Sequence, residues 1–212
     1  MHPSIPRPAA NIRIILFDLG GVLVELTGIP TLHSWTQDRM TTDELWITWL
    51  SSPAVRAFET GRSSPEEFAR GLIREMNLPL TTEEFLADFA LWPRNLFPGA
   101  IDLVREISPG YTRAVLSNSN VMHWPRLMDE WGLGEVFDHQ FASHLIGKIK
   151  PDEEAFHHVV DELDCEPPTI FFLDDNMLNV ETARRVGMRA VQVKGAIDAR
   201  RALSEAGVLR LA

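Results

Sequence analysis

Ile14-Ile15-Leu16-Phe17-Asp18-Leu19-Gly20-Gly21-Val22-Leu23 is the stretch whose reading decides the fold. An apolar, β-rich run from Ile12 to Phe17 ends on an acid, and two glycines follow within three residues. Glycine lets the backbone turn sharply and come close to a ligand. Taken alone, the segment reads equally well as a strand-end turn capped by Asp18 or as the edge of a binding site.

Four more apolar runs extend the pattern: Thr112 to Leu116, His139 to Ser143 (the weakest), Thr169 to Leu173 and Arg189 to Val193. Helical spacing separates the later ones. Phe156, Val159, Val160 and Leu163 form one helix face, and Val180, Ala183 and Val186 another, with Gly187 as its stop. Strands alternating with helices predict right-handed βαβ units, a parallel five-stranded sheet and helices on both faces.

The first connection is too long for a single crossover. Its excess predicts an inserted helical module with helix starts at three capping boxes: Thr41 with Glu44, Ser64 with Glu67, and Thr81 with Glu84. Behind them, Leu45, Trp46, Trp49 and Leu50, then Phe68, Leu72, Ile73 and Met76, then Phe85, Leu86 and Phe89 read as faces that bury against one another. Glu59 to Ser63 reads as a loop. Phe97-Pro98-Gly99 returns the chain to the sheet, and a helix from Ala100 to Ile107 follows. The division expected is an α/β core of residues 1–26 and 97–212 and a helical cap of residues 27–96.

Composition narrows the function. The 212 residues are 45% hydrophobic and 24% charged, ordinary for a soluble globular protein. No apolar stretch reaches the ~20 residues of a membrane span. The proline-bearing segment Met1 to Asn11 lacks the apolar core of a signal peptide. A net charge of −10 argues against nucleic acid. The single cysteine, Cys165, excludes an internal disulfide and fits a reducing cytoplasm. Its neighbours Asp164 and Glu166 disfavour a thiolate. Adjacent His157 and His158 do not face one way on a helix and are not a metal pair.

Four motifs gather at strand ends: Phe17 to Leu23, Leu116-Ser117-Asn118, Lys150-Pro151, and Phe171-Phe172-Leu173-Asp174-Asp175. Ligands bind beyond the carboxyl ends of strands in an open parallel sheet, so these residues should share one crevice. They offer a carboxylate nucleophile, a hydroxyl, an ammonium and an acidic pair. Such a set suits phosphoryl transfer, where charge on the phosphoryl group repels an attacking carboxylate unless cations offset it. The chain has only three lysines, and two of them, Lys148 and Lys150, lie beside this set.

On these four ordered motifs, with a helical insertion after the first, the chain resembles the haloacid dehalogenase (HAD) superfamily, in its sugar-phosphatase-like branch, over nearly the whole span from Ile12 to Val193. The resemblance implies a Rossmann-like core and a Mg²⁺-dependent hydrolase. It implies Asp18 as nucleophile and metal ligand, and Gly20 as a metal ligand through its carbonyl. It implies Ser117 and Asn118 on the phosphoryl group and Lys150 as the neutralising ammonium, since Lys150 and not Lys148 precedes proline. Asp175 would be the remaining metal carboxylate, with Asp174 on the metal directly or through water. Asn179 stands where many relatives carry another acid and is expected to hydrogen-bond in the site.

Phosphatases of this superfamily usually carry a general acid two residues after the nucleophile. Gly20 occupies that place here. General acid–base help is typically worth ~10²–10⁴ in rate, and its loss matters least for a stable leaving group. A sugar 1-phosphate, or a proton supplied by substrate or cap, is therefore favoured. Glu59 and Arg62 are the cap residues best placed to meet substrate; Trp46, Trp49, Arg56 and Phe58 could touch it but suit packing. The expected partner is a small phosphorylated metabolite, with no nucleic acid or membrane, and the protein a monomer or small homo-oligomer. Two alternatives stand: a 2-haloacid dehalogenase, which the acidic pair disfavours, and a catalytically weak binding protein on the same fold.

Overall fold

The computed structural model describes residues 11–209. The first strand, β1 (Ile14–Phe17), lies at the centre of the main sheet and is buried throughout. After the glycine turn come β2 (Val24–Leu26) and five helices: α1 (Gly28–Trp35), α2 (Thr42–Ser51), α3 (Pro53–Glu59), α4 (Pro65–Met76) and α5 (Thr82–Phe89). β3 (Pro93–Leu96) pairs antiparallel with β2 and closes the insertion at its neck. The chain continues through α6 (Ala100–Arg105), β4 (Thr112–Ser117), a π-helical turn at Arg126–Glu130, β5 (His139–Ala142) and α7 (Ser143–Ile146). It ends with α8 (Glu153–Glu162), β6 (Ile170–Asp174), α9 (Met177–Val186), β7 (Arg189–Gln192) and α10 (Gly195–Glu205). Among the described residues no helix is long and apolar enough to cross a membrane.

The sheet runs β5-β4-β1-β6-β7 with every pair parallel, and all five strands sit within two residues of their predicted places. Side chains alternate between faces along a strand, so successive residues feed different layers. Ile15, Phe17, Val115 and Leu173 enter one layer with Leu103 and Val104 of α6 and Ala199 and Leu203 of α10. Ile14, Leu16, Leu116 and Phe172 enter the other with Phe156 and Val159 of α8 and Val180 and Ala183 of α9. Burial on both faces is what the parallel sheet requires.

The insertion builds a third cluster, drawn mainly from Leu32 to Trp92. Phe58 and Phe68 stack at 4.4 Å between centroids, and Trp49 and Trp92 lie 4.9 Å apart. All three capping boxes form in both directions, each satisfying two otherwise orphaned backbone donors. Two features depart from the sequence-based expectation. Trp46 and Leu50 are exposed on α2, which buries only Leu45 and Trp49. The helix α3 was not anticipated; Ser52 caps it, Pro53 starts it, and Glu59 is its last residue and not the first of a loop.

Candidate active site

Register brings the motif residues together. Phe17 pairs with Val115 on one side and Leu173 on the other, so Asp18 emerges level with Asp174 and beside the end of β4. The Asp18 amide continues the ladder by donating to the Leu173 carbonyl at 2.9 Å. Lys150 arrives from the β5–α8 connection. Its Nζ donates to Asp18 Oδ1 and to Asp174 Oδ2, both at 2.7 Å, and lies 5.4 Å from the Phe172 ring centroid. The sheet thus places one ammonium between two carboxylates in a nearly dry site.

Asn118 holds that ammonium in place. Its Oδ1 accepts from the Lys150 amide at 2.9 Å and its Nδ2 donates to the Lys150 carbonyl at 2.8 Å. Its side chain therefore acts on the site through the lysine backbone. Lys148 is half-buried and takes no part in this pairing. Ser117 is buried at the end of β4, with its hydroxyl 3.5 Å from the Asn118 carbonyl. The next residue is anchored from β5's end: Ser143 Oγ accepts from the Ser119 amide and donates to the Ser119 carbonyl, each at 3.0 Å.

Asp174 is fully buried and heavily coordinated. Besides Lys150, it accepts from Asn179 Nδ2 at both oxygens (3.0 Å) and from the Asn176 amide (2.8 Å). Asn179 thus hydrogen-bonds within the site. Asp175 is half-buried and presses on the glycine turn. A Cβ at Gly21, which also sits at φ 70°, would fall 2.3 Å from Asp175 Oδ2. Gly21 is required there by conformation and by close approach.

Oxygens of Asp18, Asp174 and Asp175 lie within 4.8 Å of one another. Burial raises the pKa of Asp18 to about 7; the neighbouring Asp174 and Asp175 add to the shift, and Lys150 opposes it. Burial and Asp174 likewise raise Asp175 to about 6. For Lys150, burial acts to lower the pKa, but Asp174 and Asp18 outweigh it and hold the ammonium above its usual range. One cation among three crowded carboxylates leaves an excess of negative charge. A hard divalent cation takes oxygen ligands of this kind and would offset that excess, so these residues fit a metal.

The helical insertion meets this site through α3. Arg56 pairs with Asp152, two residues beyond Lys150, and a Cβ at Gly61 would fall 2.4 Å from the His144 carbonyl of α7. Glu59 is buried within electrostatic reach of Lys150. Arg62 is exposed, its Nε donating to Thr60 Oγ1 at 2.9 Å. At the other edge, His123 links the core to the insertion by its contact with the Phe89 carbonyl at 2.7 Å.

Beside Gly20 lies the end of a flexible side chain. A Cβ there would lie 2.7 Å from Leu26 Cδ1, and Leu26 is half exposed on β2. Leu26, the Ser119–Ser143 pair and His123 were not singled out from sequence. The serine pair and His123 matter only through neighbours distant in the chain, and Leu26 only because its strand folds back on Gly20.

Residues 12–187 match the family model for haloacid dehalogenase-like hydrolases, and the chain belongs to that family. It is 33% identical over 183 residues to a sesquiterpene phosphatase of Aspergillus oryzae, covering 83% of this chain and 87% of the relative. It is 24% identical over 200 residues to a D-ribitol-5-phosphate phosphatase of Bacteroides thetaiotaomicron, covering 91% and 97%. The solved structure of a predicted HAD-like hydrolase from Porphyromonas gingivalis superposes with a TM-score of 0.73 at 27% identity, covering 92% of this chain and 97% of that one. Fold, site and family agree on a hydrolase.

Proposed function

We propose that this protein is a Mg²⁺-dependent phosphatase that hydrolyses a small phosphorylated metabolite through an aspartyl-phosphate on Asp18. The observation that carries the proposal is the Lys150 ammonium bridging Asp18 and Asp174, with Asp175 alongside. Lys150 ties Asp18 Oδ1, so attack falls to the other oxygen. As the new bond to phosphorus forms, the ester bond opposite it breaks. Lys150 and the backbone around Ser117 hold the phosphoryl oxygens, and Asn118 keeps Lys150 in register. Water then cleaves the acyl phosphate and regenerates Asp18. Asp18, Asp175 and the Gly20 carbonyl would hold Mg²⁺ directly, and Asp174, already committed to Lys150 and Asn179, through water. The metal supplies charge neutralisation on the phosphoryl group.

Residues 27–96 act as a cap that selects the ester, with Glu59 and Arg62, at and just beyond the end of α3, as its substrate contacts. The missing acid at Gly20 favours a sugar phosphate with a good leaving group. A second substrate class, an apolar alcohol phosphate, is favoured by Leu26 beside Gly20 and by likeness to the sesquiterpene phosphatase. The acidic pair weighs against dehalogenation, which needs no metal.

The test is phosphate release from an aryl phosphate, a set of sugar phosphates and a prenyl phosphate, with and without Mg²⁺. Mg²⁺-dependent release that Asp18→Asn abolishes supports the proposal. Metal-independent halide release from a short 2-haloacid, with no phosphate release, would establish the dehalogenase alternative.

A further inference from the structure

We propose that Glu59, on the helical insertion, is the proton donor that replaces the acid missing at Gly20. The inference rests on the phosphatase reading above and assigns it a further catalytic residue. Its ground is placement. In an in-line displacement the leaving oxygen lies opposite the nucleophile, so it points away from Asp18 and toward the insertion. Glu59 ends α3, the helix that packs on α7 and pairs with Asp152 through Arg56. It is the insertion's buried carboxyl, and it sits between Arg56, paired with Asp152, and Gly61, packed on the His144 carbonyl, so the segment that carries it flanks the loop of Lys150, whose Nζ touches the nucleophile.

The surroundings keep this carboxyl protonated. Burial raises its pKa to about 8, outweighing Lys150, which acts to lower it. Other charged groups on the packed elements are engaged elsewhere. Glu75 of α4 bonds Ser52 at the far end of α3, and Arg56 is paired with Asp152. Burial holds His144 on α7 below its usual pKa.

The step balances. The Asp18–phosphorus bond forms as the phosphorus–leaving-oxygen bond breaks, and the Glu59 proton passes to the departing oxygen, giving a neutral alcohol. In the second half the Glu59 carboxylate takes a proton from the water that attacks the aspartyl-phosphate, which restores the acid. An alkyl ester needs this proton and an aryl ester largely does not.

The experiment compares wild type with Glu59→Gln and Glu59→Asp at saturating Mg²⁺ on an alkyl and an aryl phosphate. Glu59→Gln keeps the size and the neutral charge of the protonated acid. We expect it to lower kcat on the alkyl ester by ~10²-fold and on the aryl ester by less than about fivefold. The fall in alkyl-ester kcat above pH 8 in wild type should vanish in Glu59→Gln and return in Glu59→Asp. Equal losses on both esters, or an unchanged alkyl rate, overturn the proton-donor role and leave the phosphatase reading intact. A wild type that releases no phosphate from either ester overturns both.

Discussion

Lys150→Met tests the electrostatic core of the site without relying on turnover. The substitution keeps an unbranched stem and removes the ammonium shared by Asp18 and Asp174 at 2.7 Å each. The side chains of Lys150, Asp18 and Asp174 are 2%, 10% and 0% exposed, so water cannot take its place. Removing one partner of a buried pair typically costs about 3–5 kcal/mol because the other charge is left uncompensated. Here one change orphans two carboxylates, which places the loss near the upper end, ~5 kcal/mol. For a chain of this size each kcal/mol shifts Tm by about 2–4 °C, giving a fall of roughly 10–20 °C. The loss should also depend on pH. Asp18 at about 7 and Asp175 at about 6 are already raised by burial, and Lys150 lowers both. Without it they rise further above their unfolded values. A carboxyl raised in the folded state contributes stability at low pH and loses it as pH climbs toward the folded pKa. The deficit relative to wild type should therefore be larger at pH 8 than at pH 5.5. Thermal or urea unfolding of both proteins in metal-free buffer at the two pH values measures it. A deficit that is the same at both, or below ~1 kcal/mol, would refute the argument.

Asp175→Ala should raise the Mg²⁺ concentration for half-maximal activity at least ~10-fold, because it removes a charged oxygen ligand; Asp174→Ala should instead reduce folding stability, since it breaks the contacts to Lys150 and Asn179. Titration of activity with Mg²⁺ alongside unfolding curves separates the two effects. Gly20→Asp alone should give little gain on an alkyl phosphate, because Glu59 already supplies the proton, while the half-exposed Leu26 side chain can swing aside for the new Cβ. Gly20→Asp in a Glu59→Gln background should speed the alkyl ester by up to ~10²-fold, with a smaller gain on an aryl ester. Initial rates at saturating Mg²⁺ decide it, and no selective gain in a well-folded double variant would mean that proton transfer does not limit the alkyl reaction.

Chain-local physics determined most of what the sequence could announce. Buried parallel strands write themselves as apolar runs, and the capping boxes at Thr41, Ser64 and Thr81 are complete within four residues, so five strands and three helix starts were legible before any contact was known. The ordered ends of those strands likewise brought Asp18, Ser117, Lys150 and Asp174-Asp175 to one crevice. Tertiary structure decided the rest, because the remaining features depend on pairs far apart in the chain. β2 and β3 are three and four residues long and meet across the whole insertion, too short to carry a pattern. Whether Trp46 or Trp49 would be buried depended on which side of α2 its neighbours occupied. Asn118 closing on the Lys150 backbone is set by the packing of two strand-end loops 32 residues apart, and Glu59 coming within reach of Lys150 by how the insertion seats on the sheet. Composition and spacing record which groups a chain carries; only packing determines which of them lose water together, and that loss sets their charge and their chemistry.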